Sequence, residues 1–365
     1  MSPPAPQLPD FPWDRLAPCA QVAREHPGGL VDLSMGTPVD PTPAVVQDAL
    51  RGAADASGYP LTAGTPQLRA AVAGWLSRRL GVAGLDPAAV LPTIGSKELV
   101  GLLPTLLGLG PRDRIVHPEL AYPTYDIGAR VAGAEPVASD SLTALGPAPV
   151  ALVWVNSPAN PTGQVLPAAH LAKVVSWARQ RGAVVASDEC YIELGWDAQP
   201  VSILHPDVCG GSHEGLLAVH SLSKRSNLAG YRAGFVAGDA VLVRRLLAVR
   251  RHVGLIVPAP VQTAMTVAYG DEAHVAEQRA RYAARRSVLT RALRAFGLRI
   301  DHSVAGLYLW ATAGEDCWAT VARLAGLGVL VAPGEFYGPG GRQHVRVALT
   351  ATDERVAAAA ARLTA

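Results

Sequence analysis

Three places along the chain gather reactive and ligand-holding side chains within a few residues, and each follows a short run of apolar and β-branched residues. Ala151–Val155 leads into Asn156-Ser157-Pro158-Ala159-Asn160-Pro161-Thr162-Gly163, Ala183–Ser187 into Asp188-Glu189-Cys190-Tyr191, and Leu216–His220 into Ser221-Leu222-Ser223-Lys224. An amide, a carboxylate, a phenol, two hydroxyls and a lysine are thereby offered in succession. The lysine carries particular weight, because the chain has only three: Lys97, Lys173 and Lys224. An amine condenses with an aldehyde to an imine, and a carboxylate keeps a ring nitrogen protonated through a charge-assisted hydrogen bond. Hydroxyls, an arginine and N–H groups at a helix start hold a phosphate. The set suits a phosphorylated pyridine aldehyde acting as an electron sink.

For these groups to meet, the runs before them must be neighbouring strands. Apolar, β-branched stretches alternate with helical patterns between about residues 90 and 240, as βαβ units of a mainly parallel sheet do. Strands are expected at Val90–Ile94, Arg114–His117, Ala151–Val155, Ala183–Ser187, Leu216–His220 and Ala233–Ala237. Helices are expected over Glu98–Leu109, Tyr122–Ala132 and Pro167–Arg181, the last with Leu171, Val174, Val175 and Ala178 on one face. In an open sheet of this kind ligands bind beyond the carboxyl ends of the strands, where the three polar exits lie. After Pro258 the pattern changes to long Ala- and Arg-rich helices, then strands at Gly306–Ala311, Val329–Ala332 and His344–Leu349 and a helix from Asp353. The expected architecture is α/β: a large doubly wound, mainly parallel domain over residues 33–270 and a smaller α+β domain over 271–365. Residues 1–32 form an N-terminal arm or part of the small domain, with a flexible proline-rich start over residues 1–12.

The motifs Asn160-Pro161-Thr162-Gly163, Asp188-Glu189-Cys190-Tyr191 and Ser221-Leu222-Ser223-Lys224, followed by Gly230-Tyr231-Arg232-Ala233-Gly234, resemble those of class I aminotransferases, in the family's order and over nearly the whole chain. The resemblance implies the fold type I of pyridoxal-5'-phosphate (PLP) enzymes, with Lys224 forming the imine and shuttling the proton and Asp188 pairing with the pyridinium. It further implies that Asn160 and Tyr191 contact the phenolic oxygen and that Ser221, Ser223 and Arg232 hold the phosphate. Gly95-Ser96-Lys97 looks like the phosphate cup, and Tyr122 stands where an aromatic ring stacks on the pyridine. Tyr59 is similar to the tyrosine that reaches the phosphate across a homodimer interface. Gly36 matches the glycine loop over the substrate, and Arg346 the arginine that grips the substrate α-carboxylate.

Each residue also has an ordinary reading. Asp188 could cap a helix, isolated arginines usually make surface ion pairs, and Asn-Pro and Thr-Gly are common turn formers. Lys173 lies off the apolar stripe of its helix, whereas Lys97 at a helix start is disfavoured by the dipole unless an anion is close. It is the order and company of these residues that selects the cofactor reading. His205, Cys209 and His213 recur at four-residue spacing, but Pro206 and Gly210-Gly211 read as a loop, so no metal site is expected.

The composition fits a soluble enzyme of two domains: 365 residues, 49% apolar, 17% charged and a formal net charge of +2. The dispersed basic residues argue against a nucleic-acid partner, and no apolar run is long enough for a membrane span. The acidic, proline-rich Met1–Asp10 is unlike a signal peptide, so a cytoplasmic location is expected. The four cysteines are far apart and read as free thiols.

Around the lysine, Lys224-Arg225-Ser226-Asn227 departs from the common pattern with an aromatic two residues on. Together with Gly95-Ser96-Lys97-Glu98 and Phe11-Pro12-Trp13 it resembles N-succinyl-LL-diaminopimelate aminotransferases. That implies glutamate as amino donor and N-succinyl-2-amino-6-ketopimelate as acceptor, in diaminopimelate and lysine biosynthesis. Transamination of another amino acid and β-elimination at a carbon–sulfur bond use the same scaffold. A PLP-binding regulator with an N-terminal helix-turn-helix finds no room in residues 1–30.

Overall fold

The computed structural model describes residues 8–365. Thirteen strands follow in chain order: β1 Val31–Asp32, β2 Val90–Ile94, β3 Arg114–His117, β4 Glu135–Ala138, β5 Leu152–Asn156, β6 Val184–Asp188 and β7 Leu216–Ser221 come first. Then come β8 Ala233–Gly238, β9 Arg299–Asp301, β10 Tyr308–Thr312, β11 Val329–Leu330, β12 Ala332–Pro333 and β13 Val345–Ala348. Seven of them form one sheet in the order β2-β8-β7-β6-β5-β3-β4. Pairing is parallel from β7 through β6, β5 and β3 to β4, while β8 runs antiparallel to both β2 and β7.

Side chains alternate across a pleated strand, and both faces of this sheet are apolar because both are covered. Val153 and Val155 of β5 enter the core beneath the helices Pro66–Leu80 and Ala168–Arg181. Leu152 and Trp154 enter the opposite core, with Leu99, Leu103 and Tyr125. Ala218 of β7 belongs to the first core, and Leu217 and Val219 to the second. This is the expected mainly parallel α/β sheet with helices on both faces.

A four-stranded antiparallel sheet, β12-β13-β10-β9, forms a separate layer, packed with the helices Ala273–Ala295, Cys317–Gly326 and Asp353–Thr364 around a third core. The helix Ala17–Glu25 contributes Ala20 to that core, and β1 pairs in parallel with β11. The helix Ala259–Gly270 instead packs against Ala44–Gly52 and Pro66–Leu80 beside the large sheet.

Several sequence expectations are corrected. The strand expected at Val329–Ala332 is divided, since β11 pairs with β1 whereas β12 pairs with β13, and Val331 bridges the two sheets. The helix expected at Glu98–Leu109 runs Gly95–Leu106, because Gly95 (φ +69°) turns the chain directly off β2 and Gly108 (φ +76°) follows its end. That places Gly95, Ser96 and Lys97 in its first turn. Tyr122 lies outside the next helix, Thr124–Val131, since a residue before proline is driven out of the helical region. Residues 206–209 are a short helix rather than a loop, and the imidazole of His205 caps it by accepting from the Asp207 amide (3.2 Å). Among the described residues no cluster able to hold a metal is found, and no helix is long and apolar enough to cross a membrane. Of the expected flexible start, residues 1–7 lie outside the described residues. Pro12–Leu16 is a 3-10 turn that packs Trp13 on Phe336, with ring centroids 5.4 Å apart.

Candidate active site

The carboxyl ends of β5, β6 and β7 open into a cleft of about 1140 Å³ between the two layers. Its lining includes Gly36, Ser96, Lys97, Tyr122, Asn160, Asp188, Tyr191, Ser221, Ser223, Lys224, Arg232 and Arg346. Gly95 adjoins it behind Arg232, whereas Tyr59 is fully exposed and not part of the lining. The lining thus unites residues from opposite ends of the chain, Gly36 and Arg346 among them.

Asp188 ends β6 opposite Asn156 of β5, so its side chain emerges at the sheet's edge. Its carboxylate accepts from the Tyr125 hydroxyl (2.9 Å) and from the Cys190 amide (3.2 Å). Burial raises its pKa, and the hydrogen bonds from Cys190 and Tyr125 only partly oppose this. No cationic side chain pairs with it among the described residues. Asn156 fixes the turn beside it, donating to the carbonyls of Asp188 (2.9 Å) and Pro158 (3.1 Å) and accepting from the Asn160 amide (2.8 Å). Tyr122 stands at the cleft wall, where burial pushes its phenol up to about 12. Tyr125 had no expected role; the signal for it was its place on the buried face of its helix, where a polar tip needs a partner.

Lys224 sits in a single helical turn, Leu222–Arg225, that Ser221 caps by accepting from the Ser223 amide. Its ammonium donates to the Gly36 carbonyl. Burial lowers its pKa, Arg346 and Arg232 add to that, and Tyr308 and Cys190 oppose it. Ser221 donates to the Ser223 hydroxyl (2.8 Å). Arg232 adopts a left-handed backbone (φ +53°) and donates to Ala229 (2.9 Å). A Cβ on Gly95 would stand 2.3 Å from the Arg232 guanidinium, so only glycine lets that side chain lie against the helix start.

Arg346 rises from β13 across the cleft. Its guanidinium donates to Asn160 Oδ1 (2.9 Å) and to the Ser34 carbonyl (2.6 Å), leaving Nε buried without a partner. It lies 3.9 Å from the ring centroid of Tyr308 and 4.8 Å from that of Tyr337. The hydroxyls of Tyr308 and Tyr191 are 3.1 Å apart. Burial opposes ionisation of Tyr308, but Arg346 and Lys224 outweigh it and hold that phenol below its ordinary value, while Tyr191 is held above. Gly36 allows this packing, since a Cβ there would meet the Tyr308 hydroxyl at 2.1 Å. Tyr308 and Tyr337 escaped sequence reading because they lie far along the chain with no local motif. Lys97 has its ammonium 5.9 Å from the ring of Phe11 at the cleft mouth.

A buried carboxylate without a cation, two arginines without carboxylates and a glycine-lined helix start beside two hydroxyls call for a ligand with a cationic ring and anionic groups. A pyridinium bearing a phosphate meets those demands. This fold and donor set define a pyridoxal-phosphate enzyme.

The chain belongs to the family of class I and II aminotransferases, whose description matches residues 29–363. It is 63% identical to a probable aminotransferase of Mycobacterium tuberculosis, over 98% of this chain and 85% of that protein. It is 61% identical to the 4-dedimethylamino-4-oxo-anhydrotetracycline transaminase of Streptomyces rimosus, over 98% of this chain and 99% of that one. Among solved structures it is similar to a probable N-succinyldiaminopimelate aminotransferase from Thermus thermophilus, with a TM-score of 0.86 and 31% identity over 97% of this chain and 99% of that one. The protein is thus a PLP-dependent transaminase acting on amino and keto acids.

Proposed function

We propose that the chain carries an amino group from glutamate to N-succinyl-2-amino-6-ketopimelate. The observation that carries the transfer chemistry is the convergence of Asp188, Lys224, Arg232 and Arg346 on one cleft, each without an ion-pair partner among the described residues. PLP, when bound, supplies an electron sink for the negative charge left at the substrate α-carbon. Lys224 would hold the cofactor, and its free amine would move the substrate α-proton, a role favoured by its lowered pKa. Asp188 keeps the ring nitrogen protonated. Asn160 and Tyr191 orient the phenolic oxygen; Ser96, Ser221, Ser223 and Arg232 hold the phosphate. Tyr122 would cover the ring, and Arg346 would grip the substrate carboxylate.

Support for the acceptor comes from the Ser-Lys-Arg-Ser-Asn resemblance and the Thermus neighbour. The cleft is also roomy, at about 1140 Å³, and Lys97 in its lining could meet a terminal carboxylate. A second reading, a bulky ring ketone, draws on the aromatic wall of Phe11, Trp13, Phe336 and Tyr337 and on the Streptomyces relative. The fully exposed Tyr59 suits a homodimer in which it reaches the neighbouring phosphate.

The deciding experiment supplies glutamate with each acceptor and follows 2-oxoglutarate and aminated product by mass spectrometry. Rapid amination of the succinylated keto acid is expected. Amination of ring ketones alone selects the second reading, and release of pyruvate and ammonia from cysteine conjugates without net transfer selects elimination.

A further inference from the structure

Residues 34–42 run as a strap along the cleft and meet two of its functional cations, Arg346 and Lys224. The Ser34 carbonyl accepts from Arg346 (2.6 Å), and the Gly36 carbonyl accepts from Lys224. Further along, the Pro41 carbonyl accepts from Asn227 Nδ2 (3.2 Å), and the Thr42 hydroxyl donates to the Asn227 carbonyl (3.3 Å). The strap is therefore fastened to the lysine segment at two points, residue 36 to residue 224 and residue 41 to residue 227.

Between those points lies a buried clasp. Asn227 donates to Gln278 Oε1 (2.9 Å), and Gln278 donates to Asp40 Oδ2 (2.8 Å). Arg285, on the same long helix as Gln278, donates to both oxygens of Asp40 (2.7 and 2.5 Å). The side chains of Asp40 and Arg285 are 8% and 3% exposed, so the pair is shielded from solvent screening. Asn227 adopts a left-handed backbone (φ +54°), a conformation that non-glycine residues keep only where neighbours hold it. Burying an ion pair close to the lysine segment is costly unless the arrangement fixes something.

We propose that Asp40 is a positioning residue: through Arg285, Gln278 and Asn227 it sets the strap so that the Gly36 carbonyl holds the free amine of Lys224 where it receives the substrate α-proton. Asp40 touches neither substrate nor cofactor. Its effect reaches the reaction only through the strap and the lysine segment, and it rests on the assignment of Lys224 as the proton carrier.

The test compares the wild type with Asp40→Asn, Gln278→Ala and Asp353→Asn, using an amino donor the wild type accepts, in α-protonated and α-deuterated form. Asp353 is the exposed second partner of Arg285 and serves as the control. A displacement of about 1 Å at a reacting group costs up to about 100-fold in rate. For Asp40→Asn and Gln278→Ala, kcat is expected to fall roughly tenfold or more, with a larger deuterium isotope effect on kcat as proton transfer becomes limiting. Asp353→Asn should leave the isotope effect unchanged. In the cofactor-free protein, amide exchange across residues 34–42 should quicken in Asp40→Asn with little change elsewhere. Lower kcat with an unchanged isotope effect in both clasp variants, or unchanged strap exchange, overturns the proposal. If Lys224→Ala itself retains normal proton transfer, the assignment of the lysine fails, independently of the clasp.

Discussion

Replacing Tyr125 by phenylalanine isolates the single hydrogen bond between its hydroxyl and the buried carboxylate of Asp188 (2.9 Å). The ring remains, and with it the stack on Trp154 at 5.0 Å, so the fold is kept. Burial pushes Asp188 up, and this bond is one of the few forces opposing it. A hydrogen bond to a charged group contributes about 1.5–3 kcal/mol net. If that loss falls on the charged form, the carboxyl pKa rises further. Asp188 holds a ring nitrogen only when ionised, which requires a pH above its pKa. The acidic limb of PLP binding is therefore expected to move to higher pH, with PLP bound more weakly at neutral pH. The assay is the pH dependence of transamination alongside fluorimetric PLP titration, with the melting temperature as control. A folded variant with the wild-type acidic limb and wild-type PLP affinity refutes the claim that Tyr125 tunes Asp188.

Two further substitutions probe the anion-binding ends of the site. Gly95→Ala forces a Cβ to 2.3 Å from the Arg232 guanidinium at φ +69°, so PLP affinity should fall at least about tenfold while inorganic phosphate no longer competes; equilibrium dialysis measures it. Arg346→Lys keeps a charge but loses the planar fork between Tyr308 and Tyr337, so the KM of the amino donor should rise about 10- to 100-fold, with a smaller change in PLP affinity.

What could be read from the sequence was local. Asp188 and Lys224 were legible because a strand exit carries its chemistry in adjacent residues, and Val90–Ile94 and Arg114–His117 stand at their expected bounds. Helices such as Pro66–Leu80 and Ala240–Val253 went unread because neither sits beside a motif, although Thr65 and Asp239 cap them. The division between β11 and β12 was invisible, since four consecutive apolar residues do not say which of two sheets each will join. Tyr125, Tyr308 and Tyr337 were missed for a different reason. Tyr125 and Tyr308 depend on partners 63 and 117 positions away, and a tyrosine such as Tyr337 is equally at home in an ordinary core. Asp40 and Arg285, 245 positions apart, belong to no local motif and meet only when the strap and the long helix fold together.

The antiparallel return of β8 beside β7 places Lys224 at one end of a short connection and Arg232 at the other. Seven residues, Arg225 to Tyr231, separate them, and these are tied down through Glu193, His274, Gln278 and the strap. The connection works as a calliper whose jaws are an amine and a guanidinium. A vitamer must span both jaws at once to be gripped, so the unphosphorylated aldehyde engages one jaw only, and a single residue inserted in this stretch would set the gauge to the wrong molecule.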